Sequence, residues 1–346
     1  MATQPPGSAR IIDQRYLLID HLGNGNFGEV WRAHDLWQDA EVAVKLVAPH
    51  VTLDEVLLET QLLTRLREHD RVITVRNVSI APPLPYIVMD YLANGSVEPK
   101  LASGAASLVE AVRWTRNALA GLGHAHALGV LHRDIKPGNL LLDDELRAVL
   151  SDFGIAEDTV RNLLANPAVY GVHAAPELLQ GGGSSVQTDV FAMGCTLYRL
   201  ATGTYPFASI ADIQAWVEPK DAHMLNPQIP LSLTRVLRKA LARDPADRYA
   251  DARRMNEHLG DSGIRNAWTK VPDPTSIEVW SAEAPEGTYE LRVVTRPRAR
   301  DFEVIARLDQ GAGLRQVLRQ TCQTRARALK ERRQVLVRVV EGRRPQ

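Results

Sequence analysis

The chain has 346 residues, of which 45% are hydrophobic and 24% are charged, a balance typical of soluble globular proteins and long enough for two domains. The formal net charge is zero, so no overall field favours nucleic acid or a membrane surface as a partner. Two cysteines, Cys195 and Cys322, are too few for a disulfide framework, and neither lies in a metal-binding pattern. Residues 1–7 lack the apolar core of a signal peptide, and no apolar run reaches the about eighteen residues of a membrane span. We therefore expect a cytoplasmic protein without membrane contact.

The hydrophobic pattern divides the chain into a β-rich part, a helical part and a smaller mixed part. The predicted elements are strands within 15–47, a helix at 53–66, strands at 73–80 and 86–90, helices at 108–128, 189–203 and 231–243, strands at 277–280, 289–294 and 302–308, an arginine-rich helix at 314–333 and a last strand at 335–340. The expected divisions are a tail at 1–14, a two-lobed domain at 15–260 with lobes 15–92 and 93–260, and a small α+β accessory domain at 261–346.

A glycine-rich segment near the N terminus fits the pattern GxGxxGxV. Its glycines are Gly23, Gly25 and Gly28, and Val30 follows them. Glycines let a backbone approach polyphosphate oxygens closely, so such a loop can cover the phosphates of a nucleotide. The same glycines open dinucleotide-binding units, but there a helix follows, whereas residues 30–33 continue as a strand. A plain hairpin turn is the other alternative.

A lysine ends the apolar run of the strand that follows. Lys45 comes directly after Val-Ala-Val, and the other alternate residues of this strand are apolar. An unpaired buried ammonium group is costly, so we expect a counter-charge or a ligand beside it. Glu59, on the apolar face of the predicted helix at 53–66, is the best partner, and Glu55 one turn earlier is a competitor.

The segment with most chemistry is the octapeptide at 132–139, followed by the triplet Asp152-Phe153-Gly154. The octapeptide reads His-Arg-Asp-Ile-Lys-Pro-Gly-Asn, which brings Asp134, Lys136 and Asn139 close together in sequence. A carboxylate that orients a hydroxyl, a lysine and two oxygen-bearing metal ligands in this order are what phosphoryl transfer to an alcohol requires. The sequence therefore predicts such a reaction.

Together, the glycine-rich loop, the Val-Ala-Val-Lys strand, the octapeptide and the triplet resemble the eukaryotic-type protein kinase fold over roughly residues 15–260. The Lys-Pro-Gly-Asn version of the octapeptide resembles serine/threonine rather than tyrosine kinases, and residues 83–91 resemble bacterial kinases of the Hanks type. The resemblance implies an α+β, bilobal fold with a β-rich N-lobe and a helical C-lobe. It also implies transfer of the γ-phosphate of ATP to protein hydroxyls.

The resemblance assigns roles by position. It implies that Asp134 accepts or orients the proton of the substrate hydroxyl and that Lys136 stabilises the transferring phosphoryl group. Asn139 and Asp152 would hold Mg²⁺, or Mn²⁺ in its place. The residues implied to be catalytic are Asp134, Lys136, Lys45 and Glu59. The residues implied to bind the nucleotide are Leu22, Gly23, Gly25, Gly28, Val30, Ala43, Lys45, Met89, Asp90, Leu92 and Leu141, with Met89 as gatekeeper and 90–92 as hinge.

Two further matches concern structure rather than chemistry. Glu177, in Ala-Pro-Glu, and Arg248 match a pair of residues that family members join at the end of the activation segment. Asp189 resembles the helix residue that braces the catalytic loop, although Phe191 stands where tryptophan is more usual.

Residues 155–174 depart from the family pattern. A typical serine/threonine kinase reads Gly-Thr-x-x-Tyr where positions 169–173 read Val-Tyr-Gly-Val-His. The threonine that would bridge Asp134 and Lys136 is therefore absent, and the preference between serine/threonine and tyrosine acceptors stays open.

Arg133 resembles kinases that are switched on by phosphorylation of the activation loop, because a guanidinium can pair with a phosphate. Thr159 is the only serine or threonine from 155 to 173, and Tyr170 is the other hydroxyl. We take Thr159 as a hypothetical autophosphorylation site. A solvated threonine without a regulatory role is the alternative.

The accessory domain carries ten arginines and lysines against two glutamates from Leu314 to Gln346. Such a surface could bind nucleic acid or an acidic partner. No nucleic-acid-binding motif appears, so we favour a solvated or internally paired helix that covers a small sheet. The strand pattern also permits a docking domain for the kinase's own substrate or for another partner, and we expect a module that targets or regulates the kinase.

Two other functions remain open. The first is a pseudokinase, a nucleotide-binding scaffold or regulator, because residues 155–174 are unusual. The second is a phosphotransferase for a small molecule, although such enzymes usually lack the glycine-rich loop and the Ala-Pro-Glu segment.

Overall fold

The computed structural model describes residues 10–25, 28–48, 66, 69–81, 84–102, 104–153, 172–296 and 299–345. The predicted helix at 53–66, apart from Leu66, and the residues Glu59, Thr159 and Tyr170 lie outside the described residues.

The first part of the chain is an antiparallel sheet with the strand order β1-β2-β3-β4-β6-β5. Its strands are β1 (Ile11–Ile12), β2 (Tyr16–Gly25), β3 (Gly28–Asp35), β4 (Ala40–Val47), β5 (Val75–Ala81) and β6 (Leu84–Asp90). Strand β4 is buried on both faces from Val42 to Val47. One face packs with Tyr16 and Tyr86, and the other packs with Met89 and Val149.

The second part is mainly helical. Its elements are α1 (Leu108–Ala127), the hairpin of β7 (Leu140–Leu142) and β8 (Ala148–Leu150), α2 (Val186–Thr202), α3 (Ile210–Ala215), α4 (Ala222–Leu225), α5 (Leu231–Ala240) and α6 (Ala252–Gly260). Ser107 and Glu110 form a capping box that begins α1, and Ser185 begins α2 in the same way with Thr188. Helix α2 ends at Gly203, whose φ of 80° favours glycine. Among the described residues, no helix combines the length and the apolar character that a membrane crossing needs.

The third part, here called the C-terminal module, is an antiparallel sheet covered by one long helix. Its strands are β9 (Thr269–Val271), β10 (Glu278–Ala284), β11 (Gly287–Arg296), β12 (Asp301–Asp309) and β13 (Leu314–Cys322), in the order β13-β12-β11-β10-β9, and its helix is α7 (Arg325–Val340). The α+β, bilobal fold with an additional small module is thereby confirmed.

The prediction of a helix at 314–333 followed by a strand at 335–340 is wrong at both ends, because residues 314–322 form β13 and the helix α7 extends from 325 to 340. Residues 314–322 pair with β12, with a register shift between Ala306 and Arg307. Their apolar residues recur at Leu314, Val317 and Leu318, which resembles a helical period, but backbone pairing with β12 decides the conformation. The β-branched run after residue 334 resembles a strand, yet Val335 and Val339 lie one helical turn apart and are buried together.

The C-terminal module is joined to the helical part near the start of α5. The backbone N–H of Trp268 donates to Gln228 Oε1 at 2.9 Å, and Gln228 Nε2 donates to the Trp268 carbonyl at 3.1 Å. The Trp268 indole donates to the Leu336 carbonyl, and Arg333 donates to the Ile229 carbonyl, both at 3.1 Å. One continuous apolar core extends from α1 to α7, so the two parts share buried surface.

Candidate active site

One buried carboxylate binds the backbone at the start of the octapeptide at 132–139. Asp189, near the start of α2 and 1% exposed, accepts the backbone N–H groups of His132 and Arg133, each at 2.8 Å. It also contacts His126 Nε2 of α1 at 2.9 Å. Arg133 has a φ of 68°, a left-handed conformation that costs a non-glycine residue about 1–3 kcal/mol. Asp189 therefore stabilises a strained backbone immediately before Asp134.

The two carboxylate oxygens of Asp134 have different surroundings. Oδ2 accepts Lys136 Nζ at 2.7 Å and Asn139 Nδ2 at 2.9 Å. Oδ1 faces His173, whose Nε2 lies 3.7 Å away. Burial by itself raises the pKa of Asp134, but His173 and the positive charge of Lys136 outweigh it and lower the pKa to about 2. Asp134 is thus ionised at neutral pH, with Oδ1 facing only His173 among the described residues.

Lys45 and Asp152 meet across the two lobes. Lys45, in β4 and 4% exposed, places Nζ 3.3 Å from Asp152 Oδ1. Asp152 Oδ2 accepts the Ser151 hydroxyl at 3.2 Å, and the Ser151 N–H donates to the Asn139 carbonyl at 3.0 Å. The predicted partner Glu59 lies outside the described residues. The structure therefore brings Lys45 to the predicted metal ligands.

The donor set beside Lys45 fits a divalent cation. The amide nitrogen of Asn139 donates to Asp134, so the amide is oriented with a defined oxygen side. Asp152 adds a carboxylate whose side chain is 39% exposed and so accessible from solvent. Carboxylate and amide oxygens are the ligands that Mg²⁺ and Mn²⁺ prefer.

Most residues of the predicted adenine site lie in one apolar cluster between the lobes. Ala43 pairs with Met89 across β4 and β6. These residues cluster with Val149, and the partly buried side chains packed against them include Val30, Leu92 and Leu141. Leu22 lies outside this cluster and is 48% exposed.

The glycine-rich segment is the β2–β3 hairpin, in which Gly23 pairs with Val30 and Gly25 with Gly28. Gly28 has a φ of 137°, and a Cβ at this position would lie 1.9 Å from the Leu46 carbonyl oxygen. Only glycine fits there.

The predicted hinge begins with an amide that is already engaged. The Asp90 N–H donates to the Thr74 carbonyl at 3.0 Å, and the Asp90 side chain accepts Arg76 at 2.5 Å. The N–H and the side chain of Asp90 are therefore both engaged within the protein.

The end of the activation segment is tied to the helical lobe by a bidentate ion pair. Arg248, whose side chain is fully buried, donates to both carboxylate oxygens of Glu177 at 2.7 and 2.8 Å. It also donates to the carbonyls of Gln187, Ala242 and Arg243. Its guanidinium lies 4.8 Å from the ring centroid of Phe191, so this phenylalanine supplies the aromatic face beneath the pair.

Two histidines in this site were missed by the sequence analysis. His126 contacts Asp189, and His173 faces Asp134. The signal for His173 was present, because it lies in the stretch that departs from the family pattern. His126 carries no local signal, since its partner lies 63 residues away.

Comparison with known proteins assigns the class. The chain matches the family model described as protein kinase domain over residues 16–259. That match covers more than half of the chain, so the chain belongs to the protein kinase family, whose members use ATP and a divalent metal ion.

Similar curated proteins are bacterial serine/threonine kinases, which confirms the resemblance to the Hanks type. The chain is 30% identical over 296 residues to serine/threonine-protein kinase PknK of Mycobacterium tuberculosis (strain ATCC 25618 / H37Rv), covering 80% of this chain and 26% of the relative. It is 30% identical over 271 residues to PrkC of Bacillus subtilis, covering 72% and 40%. It is 33% identical over 280 residues to the DNA damage-responsive kinase RqkA of Deinococcus radiodurans, covering 76% and 41%. The chain spans less than half the length of each of these three relatives.

Proposed function

We propose that the chain is a serine/threonine protein kinase that transfers the γ-phosphate of ATP to protein hydroxyls. The observation that carries this proposal is the surrounding of Asp134. One of its oxygens is held by Lys136 and Asn139, the other is directed away from them, and the Lys45–Asp152 pair lies beside Asn139. A carboxylate held in this way can orient an acceptor hydroxyl while neighbouring cations neutralise the phosphate charge.

In the proposed reaction the acceptor oxygen attacks the γ-phosphorus. The bond from this phosphorus to the oxygen that bridges the β- and γ-phosphates breaks, and ADP leaves. Asp134 Oδ1 receives the hydroxyl proton, and Lys136 neutralises charge on the transferring group. The transition state of phosphoryl transfer is loose, so a carboxylate that orients the hydroxyl suffices even though its pKa is about 2.

We propose that Asn139 and Asp152 hold Mg²⁺, which neutralises charge on the phosphate oxygens when bound. Lys45, held beside Asp152, would contact the phosphates, and Glu59 stays its predicted partner. The apolar cluster of Val30, Ala43, Met89, Leu92 and Leu141 would enclose the adenine ring. Leu22, the three glycines and the Asp90 backbone complete the proposed nucleotide site.

Phosphoryl transfer from radiolabelled Mg-ATP to a generic protein substrate tests this function. We expect Asp134→Asn to lower label transfer roughly 10²–10⁴-fold while nucleotide binding persists. Asp144→Asn, an exposed carboxylate of the β7–β8 hairpin, is the matched control and should behave as the wild type.

Three outcomes decide between the candidate functions. Transfer to protein that Asp134→Asn abolishes supports the kinase. Nucleotide binding without transfer to any acceptor indicates a pseudokinase scaffold. Transfer to small hydroxyl compounds but to no protein indicates a small-molecule phosphotransferase.

We further propose that the kinase itself phosphorylates Thr159. Arg133 supports this, because its Nε is buried and has no hydrogen-bond partner among the described residues, which suits pairing with a phosphate. Intact-protein mass spectrometry after incubation with Mg-ATP should show one phosphate fewer on Thr159→Ala than on the wild type. Equal phosphate on both proteins would show that Thr159 is not phosphorylated.

For the remaining organisation we propose a tail at 1–14, a kinase domain at 15–260 with lobes 15–92 and 93–260, and an accessory domain at 261–346. We propose that the protein is cytoplasmic and that it uses its accessory domain to dock a substrate or regulatory protein. Nucleic acid is not favoured as a partner, because Arg319, Arg332 and Arg343 are each paired with a glutamate. Comparing phosphoproteins between cells with the wild type and with Asp134→Asn would identify the substrates.

A further inference from the structure

His173 is a buried imidazole that faces the proposed catalytic carboxylate. The residue is 7% exposed, and its Nε2 lies 3.7 Å from Asp134 Oδ1. Within the described part of the chain, neither ring nitrogen of His173 has a hydrogen-bond partner. A buried polar group left without a partner costs about 1–3 kcal/mol, so this position is expected to gain a partner when the site is complete.

The distance from His173 to Asp134 fits a contact that tightens in the working complex. At 3.7 Å the two atoms are too far apart for a direct hydrogen bond. Hydrogen bonds in catalytic sites are often long without substrate and shorten when the acceptor arrives. An ionised carboxylate oxygen has room for two hydrogen bonds, so Oδ1 can accept His173 and an acceptor hydroxyl together.

The other contacts of Asp134 leave this oxygen to the acceptor. Lys136 and Asn139 both bind Oδ2 and so fix one half of the carboxylate. These two contacts do not fix the direction in which Oδ1 meets an acceptor hydroxyl. Among the described residues, the titratable side chain that lies near Oδ1 is His173.

The imidazole also has an aromatic neighbour. Its ring lies 6.3 Å from the ring of Tyr205, centroid to centroid. Tyr205 in turn lies under the guanidinium of Arg199, which contacts Glu98 at 3.7 Å. A variant that replaces the imidazole by another ring can therefore keep this aromatic contact.

We propose that His173 is a positioning residue for the acceptor hydroxyl, and that it does so by orienting Asp134 Oδ1. It lies in the segment where this sequence lacks the threonine of the family pattern. The inference rests on the proposed kinase function and adds to it the residue that prepares Asp134 for a protein hydroxyl. No bond to His173 forms or breaks during the transfer, because the hydroxyl proton passes to Asp134.

The test compares His173→Phe and His173→Gln in the full chain, with a protein or peptide that the wild type phosphorylates. Phenylalanine keeps the packing against Tyr205 and removes the donor, whereas glutamine keeps a donor of similar reach. We expect His173→Phe to lower kcat/KM for the acceptor roughly 10- to 100-fold with an unchanged KM for ATP. We expect His173→Gln to restore most of the loss. The matched control is His124→Phe, which alters a histidine of α1 without a described contact to Asp134. This variant should leave both constants unchanged.

A second readout keeps the test valid if a variant is partly unfolded. Both the phosphate transferred to the acceptor and the phosphate released to water are measured in one sample, and their ratio is taken. Unfolded molecules contribute to neither quantity, so the ratio does not depend on the folded fraction. We expect this ratio to fall at least about tenfold in His173→Phe, because water needs no acceptor positioning.

An unchanged ratio in His173→Phe would overturn the inference and leave the kinase function intact. Equal loss in His173→Phe and His173→Gln would also overturn it, since the donor would then not matter. Absence of any transfer by the wild type would instead refute the proposed kinase function, so the two failures are distinguishable.

Discussion

Two regions of this chain are dense in charged side chains, and they differ in how water reaches them. Around the catalytic loop, Asp189, Arg248 and Lys45 are each at most 4% exposed, and Asp189 and Arg248 each bind several partners at once. The other region is the outer face of the C-terminal sheet, opposite α7. Its pairs join Arg292 with Glu290 and Asp273, Arg296 with Asp301 and Glu303, Arg307 with Glu290, and Arg319 with Glu303.

The difference teaches that charge density alone does not indicate function or stability. On the outer face the arginines are 30–54% exposed, so water and salt reach the arginine of each pair, although the Glu303 side chain is only 5% exposed. In the catalytic lobe a lost partner leaves a charge in a poorly solvated place, and the cost is several times larger. Variants that remove one partner in each region can measure this difference.

The largest effect is expected at the Glu177–Arg248 pair. Arg248→Ala should lower the free energy of unfolding by about 3–5 kcal/mol, because it leaves Glu177 and three backbone carbonyls without their donor. Urea denaturation followed by circular dichroism measures the change. Arg238→Ala breaks a pair with Asp221 in which the arginine is 67% exposed, and should cost at most about 1 kcal/mol. Equal costs for the two variants would contradict the comparison.

Trp268→Ala should lower the free energy of unfolding by about 3 kcal/mol, because it removes a buried indole from the junction between the helical part and the C-terminal module. The two cysteines report separately on the helical part and on the C-terminal module, since Cys195 lies in α2 and Cys322 ends β13. Burial raises the pKa of both thiols, so neither should react with an alkylating reagent in the folded protein.

Thiol labelling across a urea series therefore shows whether the regions unfold together. In the wild type both cysteines should become reactive in one transition, because one apolar core joins the regions. In Trp268→Ala we expect Cys322 to react at lower urea than Cys195. Trp37→Ala, which alters a tryptophan that is 72% exposed, is the control and should retain a single transition. Separate transitions in the wild type would show that the junction does not couple the regions.

Asp189→Asn should lower kcat about 100-fold, since its amide cannot accept the backbone N–H groups of both His132 and Arg133 with two oxygens. The strained backbone at Arg133 would then relax and displace Asp134. Steady-state kinetics with a protein substrate measures this, with Asp144→Asn as the matched control. Wild-type kcat in Asp189→Asn would show that the loop keeps its geometry without this carboxylate.

The smallest effect is expected on the outer face. Arg319→Ala should change the free energy of unfolding by less than about 1 kcal/mol, because this arginine is 54% exposed and Glu303 keeps Arg296 as a partner. Urea denaturation at low and high salt measures it, and the difference from wild type should shrink at high salt. A cost equal to that of Arg248→Ala would remove the distinction between the regions.

Acid should weaken the same face. The hydrogen bond from Arg292 lowers the pKa of Glu290, so the folded pKa lies below the unfolded one. The stabilisation is therefore present above the unfolded pKa, about 4.3 for glutamate, and is lost as the pH falls through the folded pKa. Thermal midpoints of wild type and Arg292→Ala should differ at pH 6 and approach each other as the pH falls below about 4.3. A constant difference across this range would show that the pair does not titrate as described.

Local motifs made much of the site predictable. The octapeptide predicts Asp134, Lys136 and Asn139 because phosphoryl transfer needs these groups within a few residues, and the structure gathers all three around one carboxylate. Lys45 was predicted to need a counter-charge, since its strand is apolar, and Asp152 lies beside it. The roles of these residues stay predictions until they are tested by mutation.

Contacts between distant elements were not predictable in the same way. The Asp189 contact with His126 and the His173 contact with Asp134 join elements whose positions depend on the packed core. The C-terminal module shows the same limit. Residues 314–322 have helix-like spacing, yet they form a strand because β12 offers a row of backbone partners.

The sequence by itself therefore determined the class of fold and the reacting groups, because these depend on residue types at short spacing. Only the tertiary structure decided which arginines are neutralised on the outer face, which strand lies at the edge of the module and which histidine faces Asp134. Those features depend on burial and on pairing between distant segments, and neither is encoded at any single position of the chain.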